Sequence, residues 1–172
     1  MATEVIANFE VISSTVVVDA IDGAYAAGDV VSNSNSGTTQ PVTFDFDNIV
    51  VHPGRAGQIR GALIISESEA ITPILRLYLF TVNESTLTTH IRDNVAAVCP
   101  NHADLAYLIG VIDFEAMRAD GDDSWAPDAM TKPLPFRCAS GSSSIYGILV
   151  TKSAFTQTAG DDMTIKLFTE RW

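Results

Sequence analysis

The chain has 172 residues, with ten Lys and Arg against twenty-one Asp and Glu and a net charge of −11. That balance excludes the basic face that nucleic acid binding needs to displace counterions, and it disfavours an anionic membrane surface. The apolar residues, 47% of the chain, come in short runs far below the ~20 residues of a membrane span. One domain of this size buries its own core without a metal or a disulfide.

The opening "MATEVIANFEV" places Glu4 early and lacks a basic segment followed by an apolar core. It does not read as a signal peptide, so the chain is expected to be made and kept in a cytoplasm. Met1–Val11 is expected as an extended arm. Strand signals then recur with turn signals between them. Ser14–Val18 is β-branched. "GDVVSNSNSG" places a short strand, Asp29–Ser32, before a polar loop, Ser32–Thr39. "PVTFDFDNIVV" alternates Val42, Phe44 and Phe46 against Thr43, Asp45 and Asp47, a period of two. "GQIRGALIIS" is more continuously apolar and is expected at the centre of a sheet. In "PILRLYLF", Leu75, Leu77 and Leu79 share a face opposite Arg76 and Tyr78.

"LYLFTVNESTLTTHIRDNVAA", Leu77–Ala97, leaves that strand and ends in a cluster of His90, Arg92, Asp93 and Asn94. Two short helical turns are expected after it, one over Asp93–Val98 capped by Asp93 and one in "NHADLAYL" capped by Asn101. "AYLIGVIDF", "PLPFRC", "SIYGILVT" and "DMTIKLFTERW" add strands, the last alternating Met163, Ile165 and Leu167 with Thr164, Lys166 and Phe168. "RADGDDSWAPDAMTKP" reads as a long surface loop. With about nine or ten strands and no repeat or linker, the chain is expected to be all-β. The expected architecture is a single antiparallel β-sandwich domain, jelly-roll-like, spanning 1–172.

Each chemical cluster has a plain structural alternative. His90, Arg92 and Asp93 lack a marked nucleophile, and "ASGSSS", Ala139–Ser144, is not the serine elbow of a hydrolase. Asp93 is therefore read as a cap. His52, His90 and His102 lie far apart, and Cys99 with His102 supplies only two ligands. Cys99 and Cys138 are read as reduced thiols, with a disulfide between them as the alternative. Asp120, Asp122 and Asp123 in "DGDD" form a candidate calcium loop without the full loop pattern. Pro53-Gly54 is read as a turn rather than part of a phosphate loop, and Gly61 as a close approach within a strand. No catalytic residue and no cofactor is expected.

The block from "GQIRGALIISES" through "ILRLYLFTVNESTLTTHIRDNVAA" to "DLAYLIGVIDF", preceded by "YAAGDVVSNSN" and "VTFDF", resembles small virion proteins of tailed bacteriophages. The resemblance covers Tyr25–Phe114 and is sharpest at Asp93, Asn94, Ala96 and Ala97. The chain departs from the pattern at Val95 and in "VCPNHA". The resemblance implies a capsid decoration or cement protein on the virion surface. It would bind between major capsid protein subunits, as a homo-trimer, with no catalytic residues. The arm Met1–Val11, the loops Ser32–Thr39 and Asp120–Lys132, and Asp93, Asn94, Trp125 and Trp172 are the expected contacts. The alternative is a tail- or fibre-associated carbohydrate-binding module, with Trp125 beside the acidic loop as its site.

Overall fold

The computed structural model describes residues 8–18, 24–33, 41–87, 92–96, 100–158 and 160–172. Among them run β1 (Asn8–Val17), β2 (Ala24–Tyr25), β3 (Val30–Val31), β4 (Phe44–Phe46), β5 (Ala56–Ser66), β6 (Ile74–Phe80) and β7 (Leu108–Ala116). There follow β8 (Arg118–Ala119), β9 (Ser124–Pro127), β10 (Leu134–Arg137), β11 (Ile145–Thr151), β12 (Phe155–Thr156) and β13 (Asp162–Arg171). A 3-10 helix, His102–Tyr107, precedes β7 and is capped as expected by Asn101, whose side chain accepts from the Ala103 N–H. The protein is all-β and its sheets are antiparallel.

Two sheets face each other. In sheet I the order is β1-β13-β5. The far edge of β5 is then shared end to end by β10, against Ala56–Ile59, and β9, against Leu63–Ser66, with β8 beyond β9. Sheet II runs β7-β6-β11, and the far edge of β11 is shared in the same way by β4 and β3. Counting each end-to-end pair as one strand and setting aside β2, β8 and β12 leaves eight. In chain order, strands one, eight, three and six form sheet I, and two, seven, four and five form sheet II. That connectivity is the jelly roll of two Greek keys.

The alternating residues meet between the sheets. Leu75, Leu77 and Leu79 of β6 and Met163, Ile165 and Leu167 of β13 are all fully buried in one core with Ile64, Ile112 and Phe114. Each such side chain contributes about 1.5–3 kcal/mol on burial. β5 is central, as expected, and its continuous apolar look has a cause. Phe168 pairs with Gly61 and Thr169 with Ile59, so Arg60 is an extra residue, a β-bulge. The bulge shifts the phase of the strand, letting Ile59 before it and Ala62 and Ile64 after it all face the core.

Several expectations are corrected. The stretch Arg118–Pro133 is not one long loop. It holds β8 and β9, with Ser124 and Ala126 fully buried, because the acidic run is only a hairpin turn between two short strands. Asp93 does not cap a helix: among the described residues 92–96 there is a turn, and Ala96 makes an antiparallel bridge to Asp29. The strand at Asp29–Ser32 shortens to Val30–Val31, and Val42 is exposed while Thr43 is buried, so the alternation begins only at Phe44. Of the expected arm, 1–7 lie outside the described residues, whereas Asn8–Val11 are the start of β1, paired with Phe168–Arg171. The loop Ser32–Thr39 lies outside the described residues from 34 onward.

Candidate functional site

The Asp93 carboxylate is fully buried. It accepts from the Tyr25 hydroxyl, 2.8 and 2.9 Å from its two oxygens, and from the Ser32 N–H at 2.8 Å. The next residue, Asn94, has φ of 52°, a left-handed conformation that Asn tolerates, and donates its N–H to the Val30 carbonyl. Val30 returns its own N–H to Val95. These residues clamp the returning chain onto β3. Arg92 sits at the entrance of this turn, and His90 lies outside the described residues. The Asp93 carboxylate and the Asn94 backbone thus hold this turn within the subunit.

Other polar groups are likewise engaged. Asp128 bridges the sheets: its carboxylate accepts from Ala62 N–H at 2.5 Å and Met130 N–H at 2.8 Å, while Ala129 N–H reaches the Asp113 carbonyl. Gly61 leaves room for that carboxylate, since a Cβ there would stand 3.2 Å from Asp128 Oδ2. Asp113 accepts two bonds from Arg76, at 2.7 and 2.9 Å, and has Lys152 at 3.6 Å. The Arg76 bonds hold its carboxyl below the usual carboxylate range. Asp45 is pushed the other way, chiefly by burial, with Glu84 and Asp47 adding repulsion against the bond from Thr43. In the serine run, Ser144 donates to Asp47 at 2.6 Å, and the Ser142 and Ser143 carbonyls receive Gly54 and Ile49 N–H groups. Cys138 is a free, buried thiol whose pKa burial pushes up to about 11, and Cys99 lies outside the described residues.

The "DGDD" stretch is the β8–β9 turn. Asp120 N–H donates to the Asp123 carbonyl, Gly121 has φ of 90°, and all four residues are exposed. Among the described residues no three His, Cys, Asp or Glu side chains gather where they would hold a metal ion. Trp125 is held in place from two sides. Its indole N–H donates to Asp120 at 3.0 Å, and the Arg118 guanidinium lies over the ring at 5.6 Å. Trp172 donates its backbone N–H to the Ala56 carbonyl, which docks this end of the chain on β5, and its side chain stays 42% exposed.

The outer faces of the two sheets differ. That of sheet II is covered. Ile148, Val150 and Phe80 pack there with Val30, joined by Leu87 and Tyr107 from the segment between β6 and β7 and by Leu108 at the start of β7. The Leu77–Ala97 block therefore includes part of a flap over this sheet, with Asp93 locking its far end. The outer face of sheet I has no such second core among the described residues. Because Met163, Ile165 and Leu167 point inward, their neighbours Thr164, Lys166 and Phe168 point out. The register places Val11 beside Phe168, Leu63 beside Pro127, and Ile65 beside Trp125. Phe9, 63% exposed, and Val17 extend this face along β1. Sequence reading missed these residues as a set, because they come from four strands and only the register brings them together.

No family model, curated protein or solved structure matches the chain, and the fold assignment rests on the strand order.

Proposed function

We propose that this chain is a structural virion protein of a tailed bacteriophage that decorates or cements the capsid, docking between major capsid protein subunits. The observation that carries the reading is the outer face of sheet I, which carries no second core among the described residues. It presents Phe9, Val11, Val17, Phe168, Leu63 and Ile65 interleaved with Ser13, Thr15, Thr164 and Lys166, while the outer face of the other sheet is covered by the second core. A face that mixes apolar and polar side chains in this way has the composition of a protein-protein interface. The resemblance of the Tyr25–Phe114 block to phage virion proteins supports the same reading. Fold alone does not, since jelly rolls serve many functions.

The test is co-sedimentation of the purified chain with undecorated heads of the phage that encodes it. Saturable retention at a fixed ratio to the major capsid protein is expected. Val11→Asp and Phe168→Asp, both on the outer face, should abolish retention without changing the melting temperature. Free chain at every head concentration, with retention on a glycan array instead, would overturn the reading in favour of a carbohydrate-binding module.

A further inference from the structure

The two ends of sheet I carry opposite charge. At the end where β10 meets the start of β5, Arg55 and Arg137 line a cleft of about 390 Å³ with Gly54 and Ser140. An adjoining hollow brings Trp172 against the same two arginines. Phe136 is buried, so Arg137 projects outward. Its Nε donates to the Gly54 carbonyl at 3.1 Å, which leaves the two terminal nitrogens for a ligand. At the opposite end the β8–β9 hairpin projects Asp122 and Asp123, with Asp120 committed to Trp125. Among the described residues Arg55, Arg137, Asp122 and Asp123 have no ion-pair partner.

We propose that copies of this chain associate head to tail, the Asp122–Asp123 hairpin tip of one copy seating in the Arg55–Arg137 cleft of the next. The hairpin cannot reach the cleft of its own chain. β9 pairs with Ser66 and β10 with Ala56, ten residues apart on β5, a span of about 33 Å for an extended strand. The net charge of −11 does not prevent the contact. At physiological salt, charges beyond about 8 Å are largely screened, while touching patches are not. Arginine forks pair with carboxylates in two-bond geometry, and Trp beside Arg is a frequent anchor of protein contacts. A contact between two different patches of one chain is heterologous, so it repeats from copy to copy and forms a ring where the rotation closes. The proposal stands whether or not the outer face of sheet I docks on a capsid.

The test is light scattering on the full chain at about 100 µM and near-physiological salt. Wild type should exceed the monomer mass. Arg55→Glu with Arg137→Glu, and separately Asp122→Lys with Asp123→Lys, should each return it to monomer. Mixing the two variants should restore a complex, because the acidic tip of the first meets the intact cleft of the second. All four side chains are exposed, so unchanged far-ultraviolet circular dichroism will confirm that the variants fold. A monomeric wild type, or an oligomer that survives both reversals, would overturn the proposal. The readout involves no capsid, so its failure is distinguishable from failure of the decoration reading.

Discussion

The phenol of Tyr25 donates to the carboxylate of Asp93, 68 residues along the chain, in a fully buried setting. Tyr25 also stacks on Phe155, with ring centroids 4.7 Å apart and planes 9° from parallel. One side chain thus joins the β2–β12 ribbon to the end of the flap over sheet II. Asp93→Ala would remove the buried acceptor of the bonds from the Tyr25 hydroxyl and the Ser32 N–H. The expected loss is about 2–3 kcal/mol, with about 1–2 kcal/mol for Tyr25→Phe. Urea titration of both single variants and the double variant will measure it. Losses that simply add would show that the two residues act independently.

Asp113 and Asp45 should respond to pH with opposite sign. Arg76 lowers the folded pKa of Asp113, so its contribution is present above the unfolded value of about 3.9 and is lost as pH falls through the folded one. The pair is partly exposed, which limits the cost of Asp113→Asn to about 0.5–1 kcal/mol at pH 7, shrinking below about pH 4.

For Asp45, burial raises the folded pKa, so its favourable contribution is present only below about 3.9 and is lost as pH rises through the folded value. Asp45→Asn keeps an acceptor for the Thr43 hydroxyl and should stabilise slightly at pH 7, by no more than about 0.5 kcal/mol, with no gain near pH 3. Urea midpoints at the two pH values decide both cases. A destabilised Asp45→Asn at pH 7 would reverse the assigned sign.

Cys138 should be inert in the native protein. Its thiol is buried and its pKa stands near 11, so little thiolate forms at pH 8. Iodoacetamide followed by peptide mass analysis should find Cys138 unmodified until denaturant is added. Prompt native labelling would mean that the strand end carrying it opens locally.

Gly147 lies in the middle of β11, where a Cβ would come within 2.7 Å of Leu77 Cδ1 and 3.2 Å of Phe46 Cε2. Both neighbours are buried core side chains, so Gly147→Ala should cost about 1–3 kcal/mol through overpacking. A thermal melt checks this, and an unchanged midpoint would show that Leu77 has a second rotamer to move into.

The long strands were legible because each alternates against a single core. Leu75, Leu77 and Leu79 announce their face, as do Met163, Ile165 and Leu167. The cap at Asn101 and the turn at Gly54 were legible for a similar reason, since their chemistry acts within a few residues. β8 and β9 were hidden because two- and four-residue strands beside an acidic turn carry too few alternations. Asp93 looked like a helix cap because its neighbours suit one, yet its partners, Tyr25 and Ser32, come from far upstream.

The sequence by itself determined the all-β class, the central place of β5 and most of the core, because side-chain period and turn chemistry are local properties. Only the tertiary structure decided the jelly-roll order, the phase shift at Arg60, and which sheet's outer face carries a second core among the described residues. It also brought Arg55, Arg137 and Trp172 to one cleft. These depend on pairings between residues tens of positions apart, which are selected by the free energy of the whole packed sandwich rather than by any one segment.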